Sequence, residues 1–176
     1  DRSIDEEQAA AMTAEAIAKG VNYFDTAWPY HGGKSETVIG EILKQYPRES
    51  FYLADKFPGH QIADTYDVKA VFERQLEKCG VSYFDFYLFH NVCEMNIDAY
   101  LNPKYGIYDY LMKQKRAGRI RHLGFSFHDT YRVFRKILTY RQWDFCQIQF
   151  NYLDTDIQAG ERGYALAEQL GVPLVI

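Results

Sequence analysis

VNYFDTAWPYHGGKSE, residues 21–36, decides how the rest of the chain reads. An apolar-leaning run ends on Asp25, a Thr-Ala pair follows, and Tyr30 comes five residues after the aspartate in a loop broken by Pro29, Gly32 and Gly33. The pattern predicts a strand over 21–25 that ends in a polar corner. An aspartate at a strand end and a tyrosine in the following loop acquire meaning only if other strands bring partners to them.

The same kind of junction recurs along the chain. KGVNYFD, CGVSYFD, AGRIRHLGFS and LGVPLVI each set a glycine just before an apolar strand, the place of a helix C-cap. Upstream, Ser3 to Glu6 has capping-box spacing, and Ala10, Met12, Ala14, Ile17 and Ala18 carry a helix to Gly20. Downstream, the periodicity predicts a helix over 35–45 with Val38, Ile39, Ile42 and Leu43 on one face, ended by Pro47, then a strand over 51–56. A helix over 64–79 closes at Gly80, and a third strand covers 84–90. Residues 91–105 read as a loop or short irregular insertion, followed by a helix over 107–116, a strand over 120–126 and a helix over 131–138. A fifth strand over roughly 145–150, a helix over 159–170 and the start of a sixth strand at 173–176 complete the chain. Alternating helices and strands mean a parallel sheet, either open and doubly wound or closed as a barrel. No GxGxxG follows any strand, which weighs against a dinucleotide-binding open sheet.

Composition narrows the function classes. With 176 residues, 47% of them hydrophobic, the chain can bury one large core, so one domain over 1–176 is expected. Twenty basic against 24 acidic residues give a formal charge of -4. The one dense basic cluster, 113–121, sits at a helix end, where the dipole attracts cations, so a nucleic-acid partner is not expected. Cys79, Cys93 and Cys146 are an odd number at spacings that match no zinc or iron–sulfur pattern, and a reducing cytoplasm is the simplest setting. No apolar run approaches the roughly 18 residues of a membrane helix, and no signal-peptide pattern opens the chain. The chain begins at Asp1 rather than Met and stops at Ile176 inside an apolar run, from which we expect a fragment.

The reactive side chains fall in one register. Asp25, Lys56, His90, Ser126 and then Gln147 or Asn151 lie at or just past the C-terminal ends of consecutive strands, and the first loop adds Tyr30. Singly, each has a plain structural alternative. Asp25 could cap a turn, Tyr30 is one of 15 tyrosines, Lys56 could lie on the surface, and a histidine on an apolar strand is usually a satisfied core residue. Jointly, they mark the face on which a β/α barrel builds its active site. The expected fold is therefore a (β/α)8 TIM barrel, incomplete here, with about six units visible where a whole barrel typically takes about 250 residues.

These motifs resemble the aldo-keto reductases across nearly the whole chain. FDTAWPY is similar to that family's FDTA-loop-Tyr segment, LADKF to its strand-end lysine, YLFHN to its strand-end histidine, GFSFH to its serine strand and QIQFN to its glutamine strand. The resemblance implies a catalytic tetrad of Asp25, Tyr30, Lys56 and His90, with Ser126 and Gln147 on a nicotinamide carboxamide and Trp28 walling the substrate pocket. Where the family commonly has Asn after the serine, this chain has Phe127 and then His128, so His128 substitutes or that anchor is missing. The implied reaction is reduction of a small aldehyde or ketone with NADPH or NADH, NADPH being the family's usual choice. GFSFH also resembles the branch with a C-terminal ferredoxin-like 4Fe-4S extension, although these 176 residues carry no cluster ligands and no other metal is expected.

The residue types suit that chemistry. Hydride addition to a carbonyl leaves negative charge on oxygen, and a positioned acid must supply a proton. An ammonium beside a phenol makes it a readier donor, which is the role expected of Lys56 toward Tyr30, with Asp25 holding Lys56 charged and His90 orienting the carbonyl. Two alternatives stand beside this reading. A Schiff-base aldolase would use Lys56 as nucleophile, against which the neighbouring Asp25 argues. A non-catalytic nicotinamide-binding sensor would keep the barrel without turnover.

Overall fold

The computed structural model describes residues 3–59 and 62–176. Six strands alternate with helices: α1 (Glu6–Ala18), β1 (Tyr23–Asp25), α2 (Ser35–Leu43), β2 (Tyr52–Phe57), α3 (Val68–Cys79), β3 (Phe84–Val92), α4 (Ile97–Leu101), α5 (Ile107–Arg116), β4 (Ile120–Phe127), α6 (Tyr131–Tyr140), β5 (Phe145–Ile148), α7 (Gly160–Gln169) and β6 (Leu174–Val175). All neighbouring strands pair in parallel, in the order β1-β2-β3-β4-β5-β6. A doubly wound sheet reverses its strand order at a switch point. Strictly sequential order is the winding of a barrel, and six strands make an incomplete one.

Several boundaries differ from the sequence-based expectation, each for a local reason. Asp5, not Ser3, caps α1, its carboxylate accepting the Gln8 N–H at 3.0 Å. Val21 donates its N–H back to the Ala16 carbonyl while Gly20 sits at φ +92°, so Val21 belongs to the turn that ends α1 and β1 starts at Tyr23. α2 stops at Leu43 and β5 at Ile148, each two residues early, and β6 is confined to Leu174–Val175. α3 begins at Val68 because Asp67 accepts the N–H groups of Lys69 and Ala70, whereas Asp64 faces away to Lys104 and Tyr105. The insertion at 91–105 holds α4 and a 3-10 turn at Pro103–Tyr105.

Two apolar layers follow from strand parity. Leu53, Phe57, Tyr87, Phe89, Leu123, Phe125 and Cys146 point outward and pack against the helices. Ala54, Leu88 and Phe145, with Tyr23, Phe86 and Val175, point inward and begin to fill the barrel. Gly124 belongs to the inner layer, and a Cβ there would meet the Phe145 carbonyl oxygen at 2.5 Å. The inward parity continues up each strand to Asp25, Lys56, His90, Ser126 and Gln147, which places all of them on one side of the sheet.

Candidate active site

Register explains how these side chains converge. Asp25 pairs with Ala54, Lys56 with Leu88, and Leu88 with Gly124. Lys56 and His90 therefore each stand two residues beyond the partner of the preceding site residue, the stagger of a barrel wall, while Ser126 follows the Phe89–Phe125 pair and stands level with His90. Ser126 and Gln147 lie level with each other.

Lys56 is the centre of the arrangement. Its side chain is 2% exposed, and its ammonium donates to the Asp25 carboxylate and, at 2.9 Å, to the Thr26 carbonyl. The same nitrogen lies 3.5 Å from the Tyr30 hydroxyl oxygen. A buried ammonium needs such partners, because an unpaired one is far costlier to desolvate. Thr26 is available because its N–H continues the β1 ladder to the Ala54 carbonyl at 3.0 Å, turning its own carbonyl toward Lys56. After it, the chain passes through His31, Gly32 and Gly33, all at positive φ, and the Thr26 and Ser35 hydroxyls meet at 2.9 Å. That tight loop holds Tyr30 over the barrel mouth, 38% exposed, with its ring 5.5 Å from the His90 ring in an edge-to-face contact.

A β-bulge forms the next part of the site. The β3–β4 register shifts between Phe89 and Val92, and Asn91 takes φ +52°. The Asn91 N–H donates to Ser126 Oγ at 2.8 Å, and Asn96 Nδ2 holds the Asn91 carbonyl at 2.8 Å. With its oxygen accepting from Asn91, the Ser126 hydroxyl proton is left to donate elsewhere. Across β4–β5, Gln147 Oε1 is buried without a hydrogen-bond partner among the described residues. A cavity of about 220 Å³ lies among Tyr30, Lys56, His90, Ser126, His128 and Gln147. A hydroxyl donor and an orphaned amide acceptor on its wall fit a primary carboxamide, which offers one C=O and one NH2.

The structure thus brings together Asp25, Tyr30, Lys56, His90, Ser126, His128 and Gln147. It does not bring Trp28 to the cavity; that ring carries the Lys78 ammonium 4.9 Å from its centroid on the helix side. Of the two polar candidates after β5, Gln147 lines the cavity, whereas Asn151 ties its own loop by accepting the N–H groups of Leu153 and Asp154. Sequence reasoning missed Thr26, whose role is played by its backbone and leaves no residue-type signal. Among the described residues, no group of three His, Cys, Asp or Glu could hold a metal ion, and no helix is long and apolar enough to cross a membrane.

Residues 1–176 match the Aldo/keto reductase family. The chain belongs to that family. It is 27% identical over 157 residues to the NADH-specific methylglyoxal reductase of Escherichia coli, covering 80% of this chain and 47% of that protein. It is 29% identical over 127 residues to the L-galactose dehydrogenase of Arabidopsis thaliana, covering 69% of this chain and 39% of that protein. The holo form of the aldo-keto reductase AKR11C1 from Bacillus halodurans superimposes with a TM-score of 0.79 at 24% identity, over 98% of this chain and 57% of that one. This aldo/keto reductase chain spans less than half of the length of either curated relative.

Proposed function

We propose that the protein carrying this chain is an NAD(P)H-dependent oxidoreductase that reduces a small aldehyde or ketone to the alcohol, with Tyr30 as proton donor. The observation that carries the reading is the Lys56 ammonium, bonded to Asp25 and Thr26 and 3.5 Å from the Tyr30 hydroxyl beside the cavity. A reduced nicotinamide bound there supplies the hydride, which no side chain can provide. The Ser126 hydroxyl and Gln147 Oε1 are the groups that would hold its carboxamide, with His128 alongside on the cavity wall.

The chain's own residues perform the rest. As negative charge develops on the substrate oxygen, Tyr30 gives it the phenolic proton. The phenolate charge left behind is stabilised by the Lys56 ammonium, which its bond to Asp25 keeps aimed. The His90 ring, edge-on to Tyr30, borders the space in which the substrate oxygen must sit and orients it. An ammonium with a carboxylate and a carbonyl as acceptors is a poor nucleophile, which disfavours an imine-forming aldolase. Coenzyme choice stays at the level of NAD(P)H, since one relative is by name NADH-specific while the family resemblance favours NADPH.

Replacing Tyr30 by Phe in the complete protein is expected to lower carbonyl reduction by about a hundredfold or more, since positioned acid catalysis contributes roughly 10²–10⁴-fold. Nicotinamide binding, followed by fluorescence titration, is expected to stay within about twofold. Wild-type turnover in Tyr30→Phe would refute the proton-donor assignment. Binding of the coenzyme without turnover of any aldehyde or ketone by the wild type would favour the sensor reading instead.

A further inference from the structure

Behind Lys56, on the helix side of β2, lies a buried polar cluster that the chemistry above does not use. Glu36 of α2, Asp55 of β2, Gln75 of α3 and Tyr87 of β3 are each fully buried. The Glu36 carboxylate accepts from the Lys78 ammonium and, at 2.9 Å, from Gln75 Nε2. Gln75 Nε2 also donates to the Lys56 carbonyl at 3.0 Å, and its Oε1 accepts the Tyr87 hydroxyl proton. Asp55 Oδ1 accepts the Lys56 N–H at 2.7 Å, while the Cys79 thiol points at Oδ2 from 3.8 Å. Both backbone groups of Lys56 are therefore gripped from behind, its N–H by Asp55 and its C=O by Gln75. Lys78 extends the grip to the Tyr30 loop through the Trp28 ring.

Two carboxyls, both dry and next to each other, lie on this side of the sheet, and the Lys78 ammonium pairs with Glu36. Two buried anions against one cation are costly, and one proton between them removes most of the cost. We propose that Asp55 keeps its proton and directs it at Glu36, and that Asp55, Glu36 and Gln75 act as positioning residues that fix the Lys56 peptide from behind the sheet. Burial first, then the Glu36 charge, holds the Asp55 carboxyl well above the usual carboxylate range, against the pull of the Lys56 N–H and charge. The groups facing Asp55 are Glu36 from α2, Cys79 from α3, Tyr87 from β3 and Lys56 on its own strand. The catalytic consequence rests on the reductase reading; the Asp55 proton does not.

The test uses the complete protein and three variants. Asp55→Asn keeps an oxygen for the Lys56 N–H and an amide donor toward Glu36, mimicking the protonated carboxyl. Asp55→Leu and Gln75→Met each release one side of the Lys56 peptide. The wild type at neutral pH is expected to show the infrared carbonyl stretch of a protonated carboxylic acid, and Asp55→Asn to lose it. A carboxyl raised in the folded state binds its proton more readily there than in the unfolded chain. Its stabilising effect is complete below the ordinary carboxylate range and is lost as pH rises through the raised value. Asp55→Asn is therefore expected to gain stability relative to wild type as pH rises. For turnover, Asp55→Asn is expected to keep kcat within about threefold, whereas Asp55→Leu and Gln75→Met lose about ten- to a hundredfold, the scale of a small misplacement of a catalytic group. Coenzyme affinity is expected to hold in all three, which separates misplacement of Lys56 from loss of fold. No protonated-acid band in the wild type, or equal loss of kcat in Asp55→Asn and Asp55→Leu with both folded, overturns the proposal. A wild type without carbonyl turnover contradicts the reductase reading and not the Asp55 proton, which the infrared and pH-stability arms decide on their own.

Discussion

At the scale of single residues, the strand ends that carry Lys56 and His90 are joined by one hydroxyl. Tyr100, 1% exposed, places its Oη 2.9 Å from the Phe57 carbonyl and 2.8 Å from the His90 carbonyl, so one proton serves both. Burial holds that phenol well above the ordinary tyrosine range, which keeps it a donor. Its ring stacks on Phe89 at 4.7 Å, and Gly59 lets the backbone approach, since a Cβ there would lie 1.9 Å from the hydroxyl. Tyr100→Phe keeps the ring and deletes the donor, leaving two strand-end carbonyls short of a partner. A loss of about 1–3 kcal/mol in denaturant unfolding is expected, together with a fall in kcat, because Phe57 directly follows Lys56. An unfolding midpoint equal to wild type would show that the hydroxyl bridges nothing of consequence. Nothing in the sequence marks this residue. It lies in a segment that reads as a loop, and its partners are backbone groups of two strands brought beside it only by folding.

At the scale of elements, what was legible follows a rule of local chemistry. The glycines that end α3 and α5 show in the sequence because the left-handed residue closing a periodic run is most often a glycine; Gly80 and Gly118 take φ +64° and +76°. The strand-end placement of Lys56, His90, Ser126 and Gln147 was legible too, since a period of two fixes which face each shares with the residues below it. Glu36 was not. On α2 the apolar stripe drew attention to Val38, Ile39, Ile42 and Leu43, whereas the residues pressed deepest include Glu36 and Gly40. A carboxylate one turn from a glycine reads as solvent-facing until the neighbouring helix arrives. Gly40 is where it arrives: a Cβ there would lie 2.6 Å from the Cys79 carbonyl oxygen at the end of α3. Helix propensity favours alanine over glycine by about 1 kcal/mol, while forcing a methyl into a closed contact costs about 1–3 kcal/mol. The contact is backbone, which cannot swing aside, so Gly40→Ala is expected to destabilise the protein and lower its melting temperature. A rise in melting temperature would mean that α2 can slide on α3. Such sliding would also loosen Glu36 from Gln75.

At the scale of the whole molecule, the sheet has two sides and two edges in unequal condition. The helix side is closed, with Phe72, Phe84, Tyr87, Phe89, Phe125 and Phe134 at 0% exposure. The barrel side holds Tyr23, Phe86, Leu88, Phe145 and Val175, while Tyr52, 6.1 Å from Phe86, keeps 46% of its surface exposed. Among the described residues, β1 and β6 each have a ladder partner on one side only. Unpaired parallel edges next to an apolar face are the usual templates for strand-to-strand association. The open interior adds a driving force of about 25 cal/mol for each Å² of apolar surface removed from water. A polypeptide of these 176 residues alone is therefore expected to self-associate in a concentration-dependent way, to be followed by sedimentation velocity over a dilution series. Replacing Tyr52 by Lys subtracts apolar surface from the open face without touching the ladder, and is expected to shift the polypeptide toward monomer. If the 176-residue polypeptide instead sediments as a monomer and unfolds in one cooperative step, the closed helix side is enough to hold the tetrad's scaffold. The open face and its edges would then carry no drive to associate.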